Sequence, residues 1–110
     1  MFKISCIQIC SGKDIKKNLS ISKKLILKAI KQKSDFIVTP ETSSLFGLNK
    51  KQLLETATVM EKDIYLKGIR DLAKLYKKWF LTCVLIKKKN KITNRSVLIN
   101  PKGQITTYYD

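Results

Sequence analysis

An amphipathic helical repeat set between two short apolar runs does most to limit the folds open to this chain. From Ile15 to Lys33, Leu19, Ile26 and Ile30 recur near helical spacing, Leu25 and Ala29 widen the stripe, and lysines fill the other face. Residues 2 to 10, rich in Ile and Cys, are short enough for a largely buried strand. Ser11-Gly12-Lys13 breaks that pattern just before Asp14, a suitable helix cap. Ser34-Asp35 closes the helix, and Phe36-Ile37-Val38 follows as a second strand that halts at Pro40, which has no N–H to continue a ladder. Strand, crossover helix and strand imply parallel pairing. Glu41 then falls just outside a strand end, where open α/β sheets commonly build their ligand sites.

The remainder continues in the same style. A short helix is expected between Asn49 and Glu61. A longer one runs from about Lys62 to Lys78, with Tyr65, Ile69, Leu72, Ala73 and Tyr76 on one face. Gly68 would weaken that helix by about 1 kcal/mol against Ala if exposed. Phe80 to Ile86 reads as a third strand and the polar run Lys87 to Lys91 as a tight connection. Thr93 to Ile99 and Gln104 to Tyr109 read as two further strands around a turn at Asn100-Pro101-Lys102-Gly103. The order β-α-β-(α)-α-β-β-β contains no repeat or linker, and 110 residues leave room for one core.

Lys and Arg number 23 against 8 acids, a net charge of +15 that would attract phosphate, anionic lipid or acidic protein. Only Arg70 and Arg95 are arginines, whereas base and phosphate readout favours the guanidinium fork. The lysines gather on one helical face (Lys16, Lys17, Lys23, Lys24, Lys28, Lys31) and in one turn (Lys87, Lys88, Lys89, Lys91), where solvated charge is usual. Nucleic acid is therefore not the expected partner. A noncatalytic lysine-rich module for nucleic acid or an acidic protein is the alternative.

Cys6, Cys10 and Cys83 lie in apolar runs, lack zinc-type spacing and leave an odd count, which suits a reducing, cytoplasmic setting. Each reads as a buried small hydrophobe rather than a nucleophile. No secretory leader opens the chain, and no run approaches the ~18 apolar residues of a membrane span, so no membrane partner is expected. Histidine is absent, which removes Ser-His-Asp and Cys-His catalysis and the commonest metal ligand together.

Taken in order, Cys6-Ile7-Gln8-Ile9, then Asp14 and Asn18-Leu19, then Asp35-Phe36-Ile37-Val38-Thr39-Pro40-Glu41 resemble the amino-terminal half of the nitrilase, or carbon-nitrogen hydrolase, superfamily. The segment from Thr93-Asn94-Arg95-Ser96 to Pro101-Lys102-Gly103-Gln104-Ile105 is similar to the hairpin that precedes that family's lysine motif. The resemblance implies an α/β fold, the amino-terminal half of an α-β-β-α sandwich, incomplete, with residues 1–110 a partial domain. It also implies hydrolysis of non-peptide amide bonds by a Glu-Lys-Cys triad that needs no metal or cofactor, with Glu41 as proton acceptor. The hairpin is most similar to the branch of small amidases acting on omega-amides or deaminated glutathione.

In the family the lysine follows a Tyr-x pair, which Tyr109-Asp110 supplies at the last residue, and the cysteine lies farther on. The resemblance thus implies a truncated hydrolase, inactive alone, whose missing half is a complementary downstream fragment or whose open surface is met by another copy. A small amide substrate is expected only once the site is completed.

Overall fold

A computed structural model describes all 110 residues. The elements are β1 (Ile4–Cys6), α1 (Ile15–Lys31), β2 (Phe36–Val38), α2 (Lys50–Thr56), a 3-10 turn (Met60–Lys62), α3 (Ile64–Tyr76), β3 (Trp79–Lys88), β4 (Lys91–Ile99) and β5 (Ile105–Tyr109). One five-stranded sheet has the order β1-β2-β3-β4-β5; β1, β2 and β3 run parallel, and β4 and β5 return antiparallel.

Each helix starts where a side chain can satisfy its free N–H groups. Asp14 accepts from the backbone of Lys16 and Lys17, Asn49 and Gln52 form a reciprocal capping box, and Asp63 accepts from Leu66. Helix α3 ends at Lys77, whose φ of 57° places it in the left-handed region. The β3–β4 hairpin turns on Lys89-Asn90, so Lys87 and Lys88 belong to β3 and Lys91 to β4, not to the longer connection expected from their polarity. Cross-strand pairing carries them past the apolar pattern: Lys87 pairs with Ile92 and Lys88 with Lys91.

Alternation along the strands divides the sheet into two unlike faces. One face carries Ile7, Ile37, Phe80, Val84, Ile86, Val97 and Ile99, which pack with Ile26 and Ala29 of α1 and with Tyr65, Leu66, Ile69, Leu72 and Ala73 of α3. The opposite face has no layer over it. Its rows, read from the pairing register, are Ile4–Phe36–Trp79 and Cys6–Val38–Leu81–Leu98–Thr107.

Three expectations are corrected, the first of them by this asymmetry. The first strand is only three residues long, and alternate positions from Ile4 to Cys10 are exposed, so Cys6 and Cys10 are exposed rather than buried; Cys83 is half-buried. The first strand had been expected to be largely buried, whereas it is covered on one face only. Tyr76, placed on the apolar face of α3, is 37% exposed near the helix end. Gly68, read as a weak point, is buried where α1 meets α3, and a Cβ there would stand 2.6 Å from Leu19 Cδ1.

Candidate active site

Strand β2 pairs over only three residues, but β3 extends well beyond it. The chain leaving β2 fills that open edge. Thr39 N–H donates to Leu81 O at 2.9 Å, Ser44 Oγ accepts from Leu85 N–H at 2.9 Å, and Thr58 O accepts from Lys87 N–H at 2.8 Å. Unpaired backbone groups in β3 are thereby satisfied without a true strand. Glu41 sits in this loop, followed by Thr42 at φ 52°, a left-handed conformation uncommon for a non-glycine residue.

The loop is fixed from beneath by buried hydroxyls. Thr39 and Thr82 share a 2.6 Å hydrogen bond between their Oγ1 atoms, and Ser43 donates to Thr39 Oγ1 and to the carbonyl of Pro40. Tyr65 of α3 and Ser22 of α1 are joined at 2.8 Å between their hydroxyls. Burial pushes the Tyr65 hydroxyl above the ordinary tyrosine value, and the hydroxyls of Ser22, Ser43, Thr39 and Thr82 oppose that shift. All five residues are buried, and they come from α1, α3, the β2 end and β3. A satisfied network of this kind fixes one arrangement of the elements that meet there.

From the side, Asn18 of α1 braces the same loop. Its Nδ2 donates to Gly12 O and Ser44 O, each at 2.9 Å, while its Oδ1 accepts from Gly12 N–H at 2.9 Å. Ser11 Oγ donates to Thr42 O at 2.9 Å. The β1–α1 connection and the Glu41 loop are in this way held as one unit at the end of the parallel strands.

Glu41 itself is exposed, and its Oε1 accepts a hydrogen bond from Asn94 Nδ2 of β4 at 3.2 Å. Its other oxygen makes no hydrogen bond within the chain. A carboxylate anchored through one oxygen and free at the other can accept a proton from a group brought up to it. None of the three thiols bonds to it. Cys83 Sγ lies 3.2 Å from Ser96 Oγ, and Cys6 belongs to the row of Leu98, four residues along β4 from Asn94. Lys102 is exposed in its turn and Lys87 Nζ donates to Leu54 O at 3.2 Å, so neither lysine meets Glu41. No three His, Cys, Asp or Glu side chains are grouped so as to hold a metal ion.

Sequence reading singles out Glu41 but gives no part to Asn94, to the bracing by Asn18, or to the hydroxyls of Thr39, Ser43 and Thr82. Asn94 lies 53 residues from Glu41, and only the strand register brings the two together. The signals available for Asn94 are its place in the Thr93-Asn94-Arg95-Ser96 segment, which assigns it no contact, and a polar residue within an alternating strand, which is equally the mark of a solvent-facing position.

The fold that carries this loop recurs in known proteins. The sequence model of the family described as carbon-nitrogen hydrolase matches residues 3–110. The nitrilase and fragile histidine triad fusion protein NitFhit of Caenorhabditis elegans is 29% identical over 76 residues, which cover 69% of this chain and 17% of that protein. The crystal structure of C. elegans NitFhit superposes with a TM-score of 0.86 at 25% identity, covering 99% of this chain and 28% of that one. NitN amidase from Nesterenkonia sp. AN1 gives a TM-score of 0.82 at 17% identity, covering 99% of this chain and 43% of the amidase. The chain therefore spans less than half the length of these relatives.

Proposed function

Since the chain belongs to the carbon-nitrogen hydrolase family, we propose that its 110 residues form the amino-terminal part of an amide hydrolase in which Glu41 is the general base. The fold is the corresponding part of a nitrilase-like α/β structure, with one sheet and one layer of helices. The observation that carries the reading is the anchored Glu41 carboxylate, one oxygen held by Asn94 and the other free, at the end of the parallel strands.

In this proposal Glu41 removes the proton from a cysteine thiol, and the thiolate attacks the amide carbonyl carbon. A lysine ammonium stabilises the tetrahedral oxyanion, and the C–N bond breaks as protonated Glu41 gives its proton to the leaving amine, which leaves a thioester. Glu41, ionised again, takes a proton from water as it attacks the thioester and returns it to the departing thiolate, releasing the acid and restoring the thiol. The lysine and the nucleophilic cysteine come from sequence outside these 110 residues, on the side of the sheet that carries no layer here. Acrylamide adds to the active-site cysteine in a variant of the Nesterenkonia amidase, which accords with a thiol nucleophile on the same fold. A small omega-amide is the proposed substrate. The 110 residues alone hold the base without its partners, and removal of either partner lowers the rate by orders of magnitude.

Amide hydrolysis should therefore be undetectable with this chain alone and appear on co-expression with a carboxy-terminal fragment of a carbon-nitrogen hydrolase. Glu41→Gln should then lower kcat by about 10²–10⁴-fold, the contribution usual for a positioned general base. Full activity in Glu41→Gln would remove the assignment. The competing proposal, a noncatalytic lysine-rich module, draws on the exposed lysines of α1 and predicts binding to nucleic acid or an acidic protein that weakens steeply with salt and ignores Glu41→Gln.

A further inference from the structure

Asn94 makes an uneven use of its side chain. Its Nδ2 donates to Glu41 Oε1, yet its Oδ1 is closed off from solvent and has no hydrogen-bond partner, the one such buried side-chain atom in the chain. Rotating the amide by half a turn would not cure this. An ionised carboxylate only accepts, so a flipped amide would set two acceptors against each other and leave a nitrogen orphaned instead. The side chain is thus held in the orientation that serves Glu41, at the expense of its own acceptor.

A buried acceptor without a donor destabilises a fold, whereas an apolar group of similar shape in its place is neutral or stabilising. On the other side of the bond, Glu41 is exposed, so water can replace the Asn94 donor without penalty. On stability alone, then, leucine would serve better than asparagine at this position, since its strand partner is Leu85. Natural residues that lower stability in this manner cluster at functional sites.

We propose that Asn94 is a positioning residue, retained against stability because its Nδ2 fixes the Glu41 carboxylate in one rotamer with Oε2 free to take a proton. Asn94 does not touch the reacting atoms. The proposal deepens the assignment of Glu41 as base and rests on it for its functional meaning, but its physical content can be measured on the 110-residue chain without any activity.

The test compares native chain, Asn94→Leu and Asn94→Asp by thermal melting and by NMR side-chain couplings of Glu41. Native protein should show one Glu41 rotamer. Asn94→Leu should show averaged rotamers together with a melting temperature equal to the native value or a few degrees above it. Asn94→Asp, isosteric but without the donor, should also show averaged rotamers, and keeps the question open to measurement if the leucine variant does not fold. A single rotamer retained in either variant overturns the proposal. So does a melting temperature of Asn94→Leu several degrees below native, the mark of an ordinary structural asparagine. In the complemented enzyme, Asn94→Leu should lower kcat about tenfold or more with KM little changed, as for a misplaced catalytic group. These outcomes are separable from the base assignment: if Glu41→Gln leaves hydrolysis intact, Glu41 is not the base, whatever its rotamers show.

Discussion

Two aspartates show how the same side chain takes opposite roles according to its surroundings. Asp63 caps α3 while only 3% exposed. Burial raises its carboxyl above the ordinary value, and the backbone hydrogen bonds from Leu66 and Tyr65 oppose the shift without cancelling it. Between its unfolded and folded values the native state holds more protons, so the contribution of Asp63 is complete at low pH and is lost as pH rises through the folded value. Asp63→Asn keeps the capping oxygen and removes the charge. Thermal melts should show the variant more stable than native at neutral pH, with the difference vanishing near about pH 3, where aspartates are protonated in both states. A lower melting temperature at neutral pH would mean that attraction to the helix dipole outweighs desolvation. Asp110 runs the other way. Arg95 donates from Nε to Oδ1 at 2.5 Å and from Nη2 to Oδ2 at 2.9 Å, and these bonds hold the carboxyl below its ordinary value. The stability from that pair is present above the ordinary carboxylate value and fades as pH falls through the depressed one.

Among the elements, α1 and α3 meet more closely than their apolar stripes alone would allow, because Gly68 admits Leu19. An exposed helical glycine changed to alanine would gain about 1 kcal/mol. Here the new Cβ must displace the Leu19 side chain, so Gly68→Ala should leave the urea midpoint unchanged or lower it. The loss should be relieved in the Gly68→Ala, Leu19→Ala pair, a positive coupling readable from a double-mutant cycle. A gain in the single variant would show that Leu19 moves aside freely. Strand and helix order could be read from hydrophobic period alone, and β2 even to its ends, because Pro40 and Ser34-Asp35 are strong local punctuation. Other features depended on partners distant in sequence. Ser22 and Asn18 interrupt the apolar stripe of α1 yet are buried, since each meets a polar partner, Tyr65 in one case and Gly12 with Ser44 in the other. The second layer missing over β1 left Cys6 and Cys10 exposed, which no local pattern could reveal. Glu41 could be singled out because it adjoins a strand-ending proline; the bond that Asn94 makes to it could not be foreseen, because it exists only through register.

At the scale of the whole molecule, the uncovered sheet face sets the behaviour in solution. Leu81, Leu98 and Val38 share a row there, with Trp79 and Tyr109 exposed on the same face. A contiguous apolar surface of this sort promotes association. No helix is long and apolar enough to cross a membrane. Leu81→Lys with Leu98→Lys should yield a protein that sediments as a monomer and retains its helical circular dichroism, since both residues point away from the helix-covered core. The same pair should abolish complementation by a carboxy-terminal fragment. Loss of the circular dichroism signal would instead mark the face as part of the folding core.

The overhang of β3 also bears on when the loop around Glu41 forms. A neighbouring strand would hold β3 through a continuous ladder, but the Glu41 segment is tied to it by bonds from Thr39, Ser44 and Thr58. The Ser44 tether closes 41 residues of chain, and the bond from Asn94 closes 53. Contacts of such separation repay their closure entropy late in folding. The loop that carries Glu41 is consequently set late, yet once set it is locked, because Ser43, Ser44 and Leu45 within it are fully buried.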